Sequence, residues 1–99
     1  MPINYTELAV SDLGKVFEFI ASDNKKTALE YLSKIKSKIE LLAVSPDMGV
    51  TCRSKNIDSH CRVLIYENYL IFYKVDNFSI LILRVIHSSV DYQKLLAST

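Results

Sequence analysis

The 99 residues are enough for one domain built round one core, spanning residues 1–99, and a cavity enclosing a bulky cofactor would be hard to fit. Hydrophobic residues make up 49% of the chain and charged residues 23%, an ordinary globular balance, and no apolar run approaches the length of a bilayer crossing. A net charge of +1 argues against a generic, charge-driven nucleic-acid binder, although cations gather locally at Lys25 to Lys38, at Arg53 and Lys55, and at Arg62 and Arg84.

Met1-Pro2-Ile3-Asn4-Tyr5 shows neither a basic start nor an apolar stretch, so the expectation is a cytoplasmic protein with reduced thiols. Ile3 to Tyr5 reads as a short edge strand following Pro2. Thr6 is a candidate N-cap for a helix ending near Ala21, with Ala9, Leu13, Val16, Phe17 and Ile20 on one face. Gly14 weakens that helix and would permit close packing against the next one.

Ser22-Asp23-Asn24 is a turn that offers the cap of a second helix. Ala28, Leu32, Ile35, Ile39 and Leu42 form its apolar stripe, and Lys25, Lys26, Lys36 and Lys38 fall mostly off it as a solvated face. Ser45-Pro46 ends the helix. A short connection between two amphipathic helices predicts an antiparallel hairpin lying on a sheet.

From Pro46 to Ser59 the pattern lapses into turn-like dipeptides, a loop that carries Arg53 and Lys55 as exposed cations. Then His60 to His87 sets three runs rich in Val, Ile, Leu, Tyr and Phe between the breaks Glu67-Asn68 and Asp76-Asn77. The breaks are too short for a crossover helix, so the runs predict a three-stranded antiparallel meander with tight hairpins, Asn supplying positive φ. Ser88-Ser89, Val90, Leu95 and Leu96 predict a short C-terminal helix. The fold class is therefore α+β.

Cys52, His60 and Cys61 are zinc-ligand types, but there is no Cys-x-x-Cys pair and alternation sends His60 and Cys61 to opposite faces. No metal and no cofactor is expected; Cys61 reads as a small core residue on the face of Val63 and Ile65. By the same alternation Arg62 shares a face with Leu64 and Tyr66, and Arg84 with Ile80, Ile82 and Ile86. A guanidinium in a strand needs a partner, and pairing with Asp91, Glu67 or Asp58 and binding of an external anion both stay open.

His87 lies three residues after Arg84 and four before Asp91, which suits acid or base work near neutral pH. Cleavage of a phosphodiester through the ribose 2′-hydroxyl needs a base, a cation and an acid, roles that His87, Arg84 or Arg62, and Tyr92 can supply. The two arginines and the imidazole are expected together near the far edge of the sheet.

The order strand, helix hairpin, meander and tail, taken with Ala9-Val10-Ser11-Asp12-Leu13, Phe19-Ile20-Ala21, Ser45-Pro46 before Met48-Gly49, Arg62, Tyr69-Leu70-Ile71-Phe72-Tyr73 and Leu83-Arg84-Val85-Ile86-His87 with Asp91, resembles the RelE/ParE superfamily of type II toxin–antitoxin toxins. The Arg-Val-x-His run followed by Asp is similar to the ParE branch. That branch implies poisoning of DNA gyrase, whereas RelE-like members cut messenger RNA on the ribosome. RelE-like nucleases carry an arginine where this chain has Leu70, a second basic residue at Ser88 and a tyrosine at about Lys94, so three departures point away from RelE-type cleavage, while other nuclease branches use histidines, a route that His87 and His60 keep open.

The resemblance implies a cognate antitoxin as partner, gyrase or the ribosome with its message as target, and neither a membrane nor a small-molecule substrate. Arg53, Lys55 and Arg62 are then candidates for contact with the target or with phosphate. Arg84 and His87 are catalytic candidates only if the protein is a nuclease; a non-toxic binding module of the same fold is a further alternative.

Overall fold

The first strand of the chain pairs with the last, and the sheet grows from that pairing. A computed structural model describes residues 1–52 and 60–91. The elements are β1 (Ile3–Tyr5), α1 (Glu7–Ala21), α2 (Lys25–Glu40), β2 (Val50–Thr51), β3 (Arg62–Tyr66), β4 (Tyr69–Val75) and β5 (Ile80–His87), with single 3₁₀ turns at Leu41–Ala43 and Pro46–Met48. They form one five-stranded sheet in the order β1-β5-β4-β3-β2. The meander is its centre. β1 joins parallel to β5, with Ile3 opposite Ile80 and Tyr5 opposite Ile82, and β2 joins antiparallel to β3.

Both helix starts are capped as their residue types dictate: the Thr6 hydroxyl accepts from the Ala9 N–H at 3.0 Å, and the Asn24 amide oxygen accepts from the Thr27 N–H at 3.1 Å. Ala9, Leu13 and Val16 of α1 and Ile35, Ile39 and Leu42 of the α2 side bury against Leu64, Ile71, Tyr73, Ile80, Ile82 and Val85. The opposite face of the sheet has its own cluster of Cys52, Cys61, Val63, Leu70, Phe72 and Ile86. Burial on both faces explains why Leu70 to Tyr73 run apolar without alternation.

Several local expectations are corrected. Gly14 does not seat a neighbouring helix; a Cβ added there would meet nothing within 4 Å. The β3–β4 hairpin takes its positive φ (52°) at Glu67, not at an asparagine. In the next hairpin the Asp76 carboxylate does the organising, accepting from the N–H groups of Phe78 at 2.8 Å and Ser79 at 2.7 Å, which holds its pKa below the ordinary value. Ile65 is 49% exposed, so only Cys61 and Val63 of the expected trio are core.

The segment read as an uninterrupted loop contains β2, too short to leave a periodic signal. Its pairing with β3 carries the Cys52 N–H to the Cys61 carbonyl (2.9 Å) and leaves the two Cα atoms 5.3 Å apart. The thiols expected to be reduced are joined as a disulfide, because this register puts them opposite one another at bridging distance. The expected C-terminal helix and Tyr92 lie outside the described residues, as do Arg53 and Lys55.

Candidate functional site

The site begins where β1 ends. β1 stops at Tyr5, so the stretch of β5 beyond Ile82 has no strand beside it on that edge. Thr6 takes over: its N–H donates to the Ile82 carbonyl at 3.0 Å and its hydroxyl donates to the Leu83 carbonyl at 2.8 Å. That anchors the first turn of α1 against β5, and Asp12 follows within two turns, facing the strand.

At this point β5 carries an irregularity. Phe72 pairs with Arg84 while Tyr73 pairs with Ile82, so Leu83 is an extra residue and the alternation inverts across it. Ile80 and Ile82 therefore belong to the helix-side core and Ile86 to the other cluster. The expectation that Arg84 shares a face with all three isoleucines fails for that reason.

Asp12 fills the gap left by β1. Its carboxylate accepts from Arg84 Nε at 2.8 Å, from Arg84 Nη2 at 3.0 Å and from the Val85 N–H at 3.0 Å. Hydrogen bonding to Asp12 raises the pKa of the guanidinium, which is charged in any case. Among the described residues the partner of Arg84 is thus Asp12 and neither Asp91 nor Glu67; Asp58 lies outside them. Asp12 was legible in one respect: with Ala9, Leu13 and Val16 it falls on the buried stripe of α1, where a carboxylate needs a cation.

His87 ends β5 opposite Tyr69, whose ring meets the imidazole edge-on at 5.3 Å between centroids. The Ser89 N–H donates to His87 Nδ1 at 3.1 Å, which places the proton of the neutral ring on Nε2. Arg84 and His87 line one groove of about 380 Å³, together with Asp12, Lys15 and Tyr69. Sequence reasoning brought the first two together and missed the other three.

Arg62 is elsewhere. It opens β3 opposite Tyr73, while His87 sits opposite Tyr69, four residues and so roughly 13 Å along β4 and on its other side. Its Nη1 donates to the Gly49 carbonyl at 2.8 Å and its Nη2 lies 3.5 Å from Asp47, an acid not among those expected. Tyr73 completes that corner: its hydroxyl accepts from the Gly49 N–H at 3.0 Å and donates to the Pro46 carbonyl at 2.7 Å. Arg62 is therefore not part of a cluster with Arg84 and His87.

Among the described residues no three His, Cys, Asp or Glu side chains are placed to hold a metal, and no helix is long and apolar enough to cross a membrane. Another groove, of about 340 Å³, runs between α1 and α2 over Val10, Leu13, Gly14, Phe17 and Leu32 and is almost wholly apolar.

A family model described as the ParE toxin of the type II toxin–antitoxin system parDE matches residues 3–92. Among solved structures, the chromosomal ParDE toxin–antitoxin system from P. aeruginosa is similar in fold, with a TM-score of 0.70 and 20% identity over 88% of this chain and 95% of that one. No curated protein matches.

Proposed function

We propose that this chain, which belongs to the ParE toxin family of type II toxin–antitoxin systems, arrests growth in the cytoplasm by binding and inhibiting DNA gyrase, and that its cognate antitoxin neutralises it. The family implies the antitoxin partner; the target is the proposal. The observation that carries it is the state of the strand arginines. Arg84 gives Nε and Nη2 to Asp12, and Arg62 is held by Gly49 and Asp47, so neither guanidinium has its two-pronged edge free to clamp a pentacoordinate phosphate. Leu70, at the position where RelE-like nucleases carry arginine, is buried at 6% exposure. A binding inhibitor without chemistry of its own fits these residues better than a nuclease.

In this reading Arg53 and Lys55, which follow β2 in the sequence, contact the target, and the apolar groove between the helices takes a segment of the antitoxin. Purified protein in excess should block supercoiling by gyrase, and added antitoxin should restore it. Undiminished supercoiling at stoichiometric excess would remove the gyrase target while leaving the family intact.

A ribosome-dependent nuclease is the second reading, favoured by one observation: His87 is exposed, with Nε2 protonated, beside Arg84 and Lys15. Primer extension on translated message separates the two. Cleavage by the wild type that disappears in His87→Ala would replace gyrase by messenger RNA.

A further inference from the structure

The groove that holds Arg84 and His87 does not end at His87. Tyr69 and His87 also line a second groove, of about 450 Å³, together with Phe19, Ile20, Tyr31 and Asn68, so the two grooves adjoin at these residues. The two lobes differ in chemistry. The first is cationic: the Lys15 ammonium has no ion-pair or hydrogen-bond partner among the described residues, and Arg84 commits Nε and Nη2 to Asp12 but leaves Nη1. Asp12, the acid of this lobe, is 6% exposed and fully engaged by Arg84 and Val85, so it presents little negative charge to a ligand. The second lobe is aromatic. Phe19 is 78% exposed on α1, the most exposed of that helix's large apolar residues ahead of Val10 at 59% and Leu8 at 48%, and it lines that lobe with Tyr31 and Tyr69.

We propose that the joined grooves bind a nucleoside monophosphate, its base against Phe19 and the tyrosines and its phosphate on Lys15 and Arg84, with His87 at the junction. Aromatic side chains accept any base by stacking, while the Asn68 amide offers the paired donor and acceptor that read a base edge. The neutral imidazole has its free N–H on Nε2, suited to a sugar hydroxyl or a phosphate oxygen, and Lys15 and Arg84 Nη1 supply charge-assisted donors. This binding is independent of gyrase inhibition and involves no bond making.

The test is amide chemical-shift titration of the full chain with adenosine 5′-monophosphate, with adenosine alone, with inorganic phosphate and with O-phosphotyrosine. Adenosine monophosphate should shift Lys15, Tyr69 and His87 saturably, and adenosine and phosphate should each bind at least about tenfold more weakly. Lys15→Ala should weaken the nucleotide about tenfold and leave adenosine unchanged; Phe19→Ala should weaken both alike. Both positions are exposed, so folding is not at risk, and Phe78→Ala, at a site 82% exposed in the β4–β5 turn, is the control that should change nothing. No saturable shift with the nucleotide, phosphate binding as tightly as the nucleotide, tighter binding of phosphotyrosine, or indifference to both variants would each overturn the proposal.

Discussion

Arg84 and Asp12 hold each other in two hydrogen bonds, 2.8 and 3.0 Å long, across a sequence separation of 72 residues. The pair ties α1 to the open part of β5, and its side chains are only 13% and 7% exposed. Removing one partner strands the other in a place poor in water. Asp12→Ala should cost about 3 kcal/mol in urea denaturation, whereas Asp12→Leu combined with Arg84→Met should cost less than either single change. Equal losses in single and double variants would mean that the pair is not what holds the helix down.

Gly49 is the second joint. A Cβ there would lie 2.7 Å from both the Tyr73 hydroxyl and the Val63 carbonyl, and the latter belongs to a strand that cannot move aside. Gly49→Ala should destabilise by about 2–4 kcal/mol in thermal unfolding, and Tyr73→Phe, which leaves the Gly49 N–H without its acceptor, by about 1–3 kcal/mol. A neutral Gly49→Ala would show that Tyr73 yields easily.

The Cys52–Cys61 bridge closes a loop with a sequence separation of 9 and ties β2 to β3. Chain-entropy reasoning assigns such a loop between about 2 and 3 kcal/mol. Reduction, or Cys52→Ser with Cys61→Ser, should lower the urea midpoint accordingly. Thiol counting under acid quench on protein purified without reductant should find neither thiol free; finding both free would mean that the bridge does not form.

Tyr31 packs between Tyr66 and Tyr69 at centroid distances of 5.9 and 6.1 Å. Burial first, and the Glu67 carboxylate next, push its hydroxyl from 10.0 up to about 12. A raised folded pKa means that the unfolded chain loses this proton first, so the contribution to stability is complete below pH 10 and fades as the pH climbs towards 12. Ultraviolet titration of the wild type minus Tyr31→Phe should isolate a phenol titrating above 10.0; a difference curve centred there would contradict the packing.

The helices and the meander were legible because each repeats its signal over several turns or several strand residues, from Ala28 to Leu42 or from Leu64 to Tyr73. What the sequence withheld has physical causes. β2 is two residues long, too short for alternation to register, and with it went the Cys52–Cys61 pairing. The extra residue at Leu83 inverted every face assignment downstream, since strand periodicity assumes an unbroken ladder. The partner of Arg84 lay in a helix far away in sequence, although an acid on the stripe of Ala9, Leu13 and Val16 was the available clue. Arg62 and His87 were separated by their positions along β4, which depend on strand register and not on proximity in the chain.

The parallel pairing of Ile3–Tyr5 with Ile80–Ile82 sets a timetable for synthesis. The helix hairpin can form as soon as it leaves the ribosome, because its contacts are local, but β1 has no seat until the last strand has been translated. A nascent or truncated chain that stops before β5 therefore exposes an orphan strand at its N-terminus and an unanswered Asp12, and it should be a substrate for chaperones and proteases before it can meet an antitoxin or a target.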